Sequence, residues 1–172
     1  MDEAAREFLQ RLLETPSPSG FETAGQAVWT EYVAGFADDV STDAYGNAVA
    51  VHEGDPAVEA EIAVAGHADE IGFMVRHVTD EGILYVNRIG GADRAIARGL
   101  RVRILGDEGP VTGVVGNTAI HIRDTKNEKV PKVHELFIDI GASSKEAVHE
   151  RGVRVGHPMV FDVGPTMLTE SR

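Results

Sequence analysis

The stretch IAVAGHADEIGFMV, residues 62–75, joins two kinds of local sequence. The residues at 61–66 form a short, continuously apolar run that is typical of a central strand covered on both faces. His67, Asp69 and Glu70 follow it directly, and apolar sequence then resumes. Polar residues just past the carboxyl end of such a strand lie where open α/β sheets place their ligand sites. These residues are therefore a candidate functional site.

The spacing of these polar residues limits which of them act together. In an extended chain, His67 and Asp69 point to one side and Glu70 points to the other. Neutral imidazole is a good ligand for zinc and similar divalent ions, and a carboxylate can hold its second ring nitrogen and fix its tautomer. From the residues alone two interpretations stay open: a hydrogen-bonded structural histidine, or a metal ligand oriented by Asp69.

The sequence before this stretch predicts two helices and a β-hairpin. Apolar residues recur at helical spacing near the N-terminus until Pro16 and Pro18 stop the first helix. Ser19 and Glu22 have the spacing of a capping box, which would start the second helix. The Tyr-Gly-Asn sequence at 45–47, between two short extended runs, predicts the hairpin turn. This part of the chain is therefore expected to be α/β.

The pattern changes after residue 70 to short apolar runs separated by turn signals rich in Asp, Glu and Gly. Roughly four or five strands at this spacing predict a small barrel or sandwich. The polar segment 121–135 is predicted to be a surface loop. Ser143 and Glu146 have the spacing to cap a short helix that Gly152 closes. The chain is therefore expected to be mostly β from residue 71 to about 162.

Composition excludes several classes of protein. The 172 residues include 28 acidic and 16 basic side chains, for a net charge of −12, which argues against a nucleic-acid binder with a basic stripe. No apolar run approaches the roughly 20 residues of a membrane span, and the acidic, amphipathic N-terminus differs from a signal peptide. The chain has no cysteine, so a disulfide framework and a thiolate metal site are excluded. The cytoplasm is the expected location.

Other catalytic motifs find no support. The sequence contains no G-x-S-x-G nucleophile elbow, and no G-x-G-x-x-G opens a helix. The glycines of RIGGAD, residues 88–93, are predicted to form a bend between strands. His77 is interpreted as a surface or edge residue of a strand, and His121 as a structural residue at a loop entrance. The other histidines are assigned no role, and these are His52, His134, His149 and His157.

A set of motifs, taken together, resembles one known family, the tetrahedral aminopeptidases, also called glutamyl or deblocking aminopeptidases. The resemblance runs almost the whole length of the chain, and HADEIG combined with DIGASS is highly specific. The motifs follow in the family's order and spacing: SGFE (19–22), DAYGNAVA (43–50), AGHADEIGFMV (65–75), RIGGAD (88–93), LFIDIGASSKEA (136–147) and RGVRVGHPMVFD (151–162).

The resemblance implies a cytosolic exopeptidase that removes N-terminal residues from peptides with two divalent metal ions, zinc or cobalt. It implies that His67 is a metal ligand and that Asp69 is a catalytic residue that supports it. It also implies a homo-oligomer, from dimer to dodecamer, with peptide substrates and with neither nucleic acid nor membrane as partner.

The implied fold is α/β, the N-terminal part of a zinc-peptidase-like catalytic domain with an inserted small β-barrel-like domain. The expected boundaries are 1–70 for the first part of the catalytic domain and 71–162 for the inserted dimerisation and assembly domain. Residues 163–172 would begin the return to the catalytic domain.

One departure from the family bears on activity. In the family, the bridging aspartate, the general-base glutamate and further ligands follow the inserted domain, and only His67 matches a ligand here. The other candidate carboxylates, which do not match, are Glu70, Asp93, Asp139 and Asp162. The expectation is an N-terminal fragment that is inactive alone. Two alternatives stay open: a non-catalytic oligomerisation or interaction module, and a one-metal hydrolase.

Overall fold

The computed structural model describes residues 1–124 and 126–169. They fall into two compact units, one formed by Met1–Asp69 with the segment that begins at Gly164, and the other by Glu70–Val163. Residues 163–169 form no helix or strand. The last three residues of the predicted return to the catalytic domain, 170–172, lie outside the described residues.

The first unit contains two packed helices. Helix α1 spans Glu3–Glu14, and Asp2 caps it by accepting a hydrogen bond from the Ala5 N–H at 2.8 Å. Helix α2 spans Thr23–Val33. The rings of Phe8 and Tyr32 stack with their centroids 3.9 Å apart, so an aromatic pair joins the two apolar faces.

The predicted capping box at the start of α2 is wrong. Glu22 is the residue that precedes the helix, and its side chain makes no capping hydrogen bond. Its carboxylate accepts from the Gly20 N–H at 2.6 Å, and the Ser19 hydroxyl donates to Asp69 instead of to the helix. The spacing is compatible with a capping box, but the Ser19 hydroxyl forms its hydrogen bond with Asp69, fifty residues further along the chain.

The predicted hairpin is confirmed. Strands β1 (Asp39–Thr42) and β2 (Ala48–Val51) pair antiparallel. The Asp43 carboxylate accepts hydrogen bonds from the N–H groups of Tyr45 and Asn47 at 2.8 and 2.9 Å, which closes the turn. Gly46 takes a φ of 86°, a left-handed conformation that glycine adopts without strain.

The predicted central strand over 61–66 is wrong. This segment has no regular structure, and Ile62 and Val64 are 90% and 95% exposed. An apolar run becomes a strand only when a neighbouring strand offers a hydrogen-bonding edge. Within the described residues, β1 and β2 pair only with each other, and the 61–66 run is not hydrogen-bonded to either of them as a strand.

The second unit is a closed six-stranded barrel, which confirms the predicted barrel-like domain. Every neighbouring pair is antiparallel, and closure leaves no free strand edge. Around the barrel the strands follow the order β3, β4, β7, β6, β5, β8. Their bounds are Gly72–Val78 for β3, Leu84–Ile89 for β4, Arg101–Gly106 for β5, Gly109–Val115 for β6, Phe137–Asp139 for β7 and Pro158–Phe161 for β8.

A β-bulge in β3 decides which of its side chains enter the barrel. Strict alternation after Phe73 and Val75 would bury His77. The register shifts between Val75 and His77, so that His77 lies at the surface and Val78 is buried. The shift keeps an imidazole out of an apolar core. The largest fully buried side chains of the barrel are Phe73, Leu84, Ile104, Leu136, Ile138 and Met159.

Short helices connect the barrel strands. Helix α3, Arg94–Ala97, follows the glycines for which only a bend was predicted, and Asp93 caps it by accepting from the Ala95 N–H at 2.7 Å. Helix α4, Lys145–Glu150, is capped by Ser144, one residue after the predicted serine. Within the predicted loop, two 3₁₀ turns form at Ile120–Ile122 and Val133–Glu135. None of the described helices has the length and apolar character to cross a bilayer.

Candidate functional site

The structure brings His67 and Asp69 together, as their spacing predicted. The His67 side chain is 85% exposed, and its Nδ1 lies 2.9 Å from the backbone oxygen of Asp69 and 3.1 Å from Oδ1 of the same residue. A carbonyl oxygen can only accept, so Nδ1 carries the proton and donates. In the neutral imidazole this tautomer leaves the lone pair on Nε2, which faces away from these partners and can act as a ligand or a base.

Ser19 supports Asp69 from the other side. Its hydroxyl donates to Oδ2 of Asp69, while Oδ1 faces His67. The hydrogen bond from Ser19, and then that from His67, lowers the pKa of the Asp69 carboxyl below its ordinary value. Asp69 is therefore a carboxylate at neutral pH, and it can hold the imidazole in one tautomer.

Sequence reasoning missed Ser19. The serine is fifty residues from Asp69 in the chain, and its local spacing to Glu22 suggested a helix cap. Contact over such a separation leaves no local pattern. The only available signal was its position in SGFE, one of the motifs that carry the family resemblance.

The serine, carboxylate and imidazole form a chain of hydrogen bonds in the order Ser19, Asp69, His67. A metal-binding histidine commonly donates its second N–H to a carboxylate or a carbonyl, and His67 does so to both kinds of acceptor. The arrangement therefore fits a histidine that supplies one ligand, Nε2, to a metal ion. Among residues 1–124 and 126–169, no group of three or more His, Cys, Asp or Glu side chains could hold a metal ion.

The four carboxylates that do not match the family's metal ligands have other surroundings. Asp93 caps α3, and Asp139 accepts from the Gly141 N–H at 2.7 Å. Asp162 pairs with Arg103, with an N–O distance of 2.7 Å. Glu70 is half-buried at the start of the barrel unit. Asp93, Asp139 and Asp162 therefore each have a structural role inside the barrel unit.

Replacing Ser19 by alanine is expected to raise the pKa of Asp69 toward its ordinary value of about 3.9, because the strongest hydrogen bond to the carboxylate is lost. A carboxyl group with a lowered pKa in the folded protein stabilises the fold at pH values above its unfolded-state pKa. This stabilisation is lost as the pH falls through its folded-state pKa. The variant should therefore lose less stability on acidification than the original protein. Carboxyl-carbon NMR titration measures the shift directly.

Ser19→Thr, which keeps a hydroxyl group, is the matched control and should titrate like the original protein. An Asp69 pKa that is the same in Ser19→Ala and in the original chain would show that the hydroxyl does not set it.

Comparison with known proteins gives consistent matches. The model of the M42 glutamyl aminopeptidase family matches residues 46–172. A lysyl aminopeptidase of Pyrococcus furiosus is 32% identical over 169 residues, which cover 96% of this chain and 48% of that protein. This chain spans about half the length of the curated relatives that it matches, and it corresponds to their N-terminal half.

Solved structures agree with the sequence comparison. A TET aminopeptidase from a marine-sediment Thaumarchaeota archaeon superposes with a TM-score of 0.87 at 34% identity, over 98% of this chain and 47% of that one. The TET1 peptidase of Pyrococcus horikoshii, which can assemble into a tetrahedron or a large octahedral shell, gives a TM-score of 0.78 at 33% identity. That match covers 91% of this chain and 46% of the other.

Proposed function

Since the chain belongs to the M42 glutamyl aminopeptidase family, we propose that it forms the N-terminal part of a metal-dependent aminopeptidase that hydrolyses N-terminal residues from peptides. The observation that carries the proposal is the family match combined with the His67–Asp69 geometry, in which Nδ1 is engaged and Nε2 is left for another partner. We place the protein in the cytoplasm, by its resemblance to cytosolic exopeptidases and its lack of cysteine.

In this proposal His67 is a metal ligand, and Asp69 keeps its imidazole in the tautomer that presents Nε2. Two divalent ions, zinc or cobalt, would supply the Lewis acid that polarises the peptide carbonyl and lowers the pKa of a bound water. Ser19 holds the Asp69 carboxylate in its ionised form, and the carboxylate in turn stabilises the oriented imidazole. We propose that the other ligands and the general base belong to the half of the relatives' length that this chain does not span.

A second proposal concerns the barrel unit, which we propose serves in assembly of a homo-oligomer. The P. horikoshii relative forms closed shells, and the barrel unit here leaves several large apolar side chains exposed. Exposed apolar side chains that form a contiguous patch are typical of association surfaces. Those side chains include Ile96, Ile122 and Val155. If the chain acts without catalysis, this surface would make it an oligomerisation module.

One pair of preparations tests both proposals. The 172-residue chain alone, and a complete subunit in which it is joined to the second half that the relatives possess, are assayed on aminoacyl p-nitroanilides with zinc or cobalt. We expect the complete subunit to turn over at about 1 per second or faster, within the usual range of enzymes. We expect the 172-residue chain to show no turnover, since its described residues contain no group of three or more side chains that could hold a metal ion. Both preparations are also sized by analytical ultracentrifugation.

The outcomes separate the two proposals. Turnover by the 172-residue chain at the enzymatic rate would contradict its dependence on further ligands. A complete subunit that stays inactive with every metal but sediments as an oligomer would favour the non-catalytic module. A monomer in both preparations would contradict the assembly role of the barrel unit.

A further inference from the structure

The barrel unit contains a polar cavity of about 480 Å³ beside the end of α3. It is bounded by the end of α3, by the segment that follows β6 and by the start of β7. Its wall combines charged, neutral polar and apolar groups, among them Arg98, Asn117, Arg123, Glu128, Leu136 and Phe137. A cavity with convergent polar groups on a partly apolar wall is typical of a small-molecule site.

Two guanidinium groups meet on one carboxylate oxygen in this wall. Arg98 and Arg123 each donate through Nη1 to Oε1 of Glu128, at 2.7 and 2.8 Å. All three side chains are largely buried, with between 21% and 35% of each exposed. The hydrogen bond from Arg98 and the charge of Arg123 lower the pKa of Glu128, so the carboxylate is ionised and two cations face a single anion.

The other acidic side chains of the wall accept hydrogen bonds from neighbouring residues of the chain. Asp124 accepts from the Lys126 N–H at 3.2 Å and from the side-chain amide of Asn127 at 2.8 Å. Glu135 accepts from the Lys132 N–H at 2.6 Å. These contacts hold local turns. Among the described residues, Glu128 is the carboxylate that pairs directly with both arginines, and it does so through one of its two oxygens.

Arg123 also retains an unused donor. Its Nε–H is buried and has no hydrogen-bond partner in the part of the chain that the structure describes. Buried donors are rarely left unpaired, because water can no longer satisfy them. An arginine that binds a carboxylate in the two-bond mode uses adjacent N–H groups, and Arg123 contributes only one to Glu128. Within the described residues, Arg123 thus keeps an unpaired donor, and the two arginines share a single acceptor oxygen.

We propose that this cavity binds a carboxylate, from a small organic acid or from the C-terminus of a peptide, between Arg98 and Arg123, and that Glu128 occupies its place when the ligand is absent. A carboxylate already sits between the two guanidinium groups, so the geometry suits that ion. The more highly charged phosphate would meet repulsion from Asp124 and Glu135 in the same wall. This inference does not use the peptidase assignment.

The alternative is that the three side chains only fix the segment after β6 against α3. NMR of the 172-residue chain separates the two, since the Nε–H signal of Arg123 reports its own hydrogen bonding. The chain is titrated at constant ionic strength with sodium acetate, N-acetylglycine, inorganic phosphate and the neutral N-acetylglycinamide. We expect both carboxylates to shift the Arg123 signal with a Kd of roughly 1–10 mM, and N-acetylglycinamide to leave it unchanged.

Three variants sharpen the test. Glu128→Gln removes the competing anion and should bind acetate about tenfold more tightly, whereas Arg98→Gln should abolish binding. Arg76→Gln, at an exposed arginine of β3, is the matched control and should bind like the original chain. Each variant is first checked for cooperative thermal unfolding, and the titration of the unchanged chain decides the matter if Glu128→Gln does not fold.

Each possible ligand, and a purely structural role, predicts a different result. Tighter binding of N-acetylglycine than of acetate supports a peptide C-terminus as the ligand, and equal binding supports a free organic acid. Phosphate binding more tightly than either carboxylate would overturn the assignment to carboxylates. No shift with any anion up to about 100 mM, or a Glu128→Gln variant that binds acetate no better, would show that the three side chains are structural only.

Discussion

Replacing His67 by alanine is expected to remove metal and activity together from a complete peptidase subunit. The substitution deletes the imidazole that we propose as a metal ligand, whose Nδ1 is engaged by Asp69 and whose Nε2 would bind the metal. Loss of a supporting group typically lowers metal affinity or activity about 10- to 100-fold, so loss of a ligand should exceed a hundredfold. Metal content by mass spectrometry is measured beside kcat and KM for each preparation.

Asp69→Asn tests the orienting role separately. The amide keeps the volume of the side chain but loses the negative charge that favours the donor tautomer at Nδ1. We expect metal to bind more weakly and turnover to fall by about 10- to 100-fold, with the fold retained. If a high zinc concentration restores the metal content of Asp69→Asn but not that of His67→Ala, Asp69 is a supporting residue and His67 is a ligand.

His77→Ala is the matched control, since His77 is an exposed histidine on β3 and has no assigned role. It should keep full metal content and activity. A His67→Ala subunit that retains two metals would show that His67 is not a ligand. An Asp69→Asn subunit indistinguishable from the original would show that the pairing of His67 with Asp69 has no functional part.

Local patterns predicted the elements whose partners are near in sequence. The hairpin at 45–47 and most barrel strands are paired with neighbours that a turn brings together, so periodicity and turn residues contained the needed information. The run over 61–66 has the composition of a buried strand, but a strand also requires a partner edge. Within the described residues no strand pairs with this run, so composition alone gave the wrong result.

The same distinction explains the outcome at the site. The pairing of His67 with Asp69 is local and followed from the alternation of side chains in extended chain. The hydrogen bond from Ser19 connects residues fifty positions apart and was assigned to a helix cap instead. The β3 bulge is a comparable case, because the register of β3 depends on its pairing with β4 and not on its own sequence.

Replacing Phe73 by alanine is expected to destabilise the barrel unit by about 3–5 kcal/mol. The Phe73 side chain is fully buried, and its ring meets that of Phe161 edge to face with centroids 5.6 Å apart. Truncation removes both the buried apolar area and this aromatic contact, and it leaves a cavity that a closed barrel can collapse only in part. Urea unfolding, followed through the amide NMR signals of the barrel strands, measures the change.

Two further variants set the scale of this effect. Phe73→Leu keeps most of the volume and should cost less than about 1.5 kcal/mol, because it leaves a smaller cavity although the aromatic contact is lost. Tyr45→Ala removes an aromatic side chain of similar size from the exposed hairpin tip and should change stability by less than about 0.5 kcal/mol. If Phe73→Ala unfolds at the same urea concentration as Tyr45→Ala, the interior of the barrel is not what holds this unit together. A graded loss from Tyr45→Ala through Phe73→Leu to Phe73→Ala is the result that a closed, well-packed barrel requires.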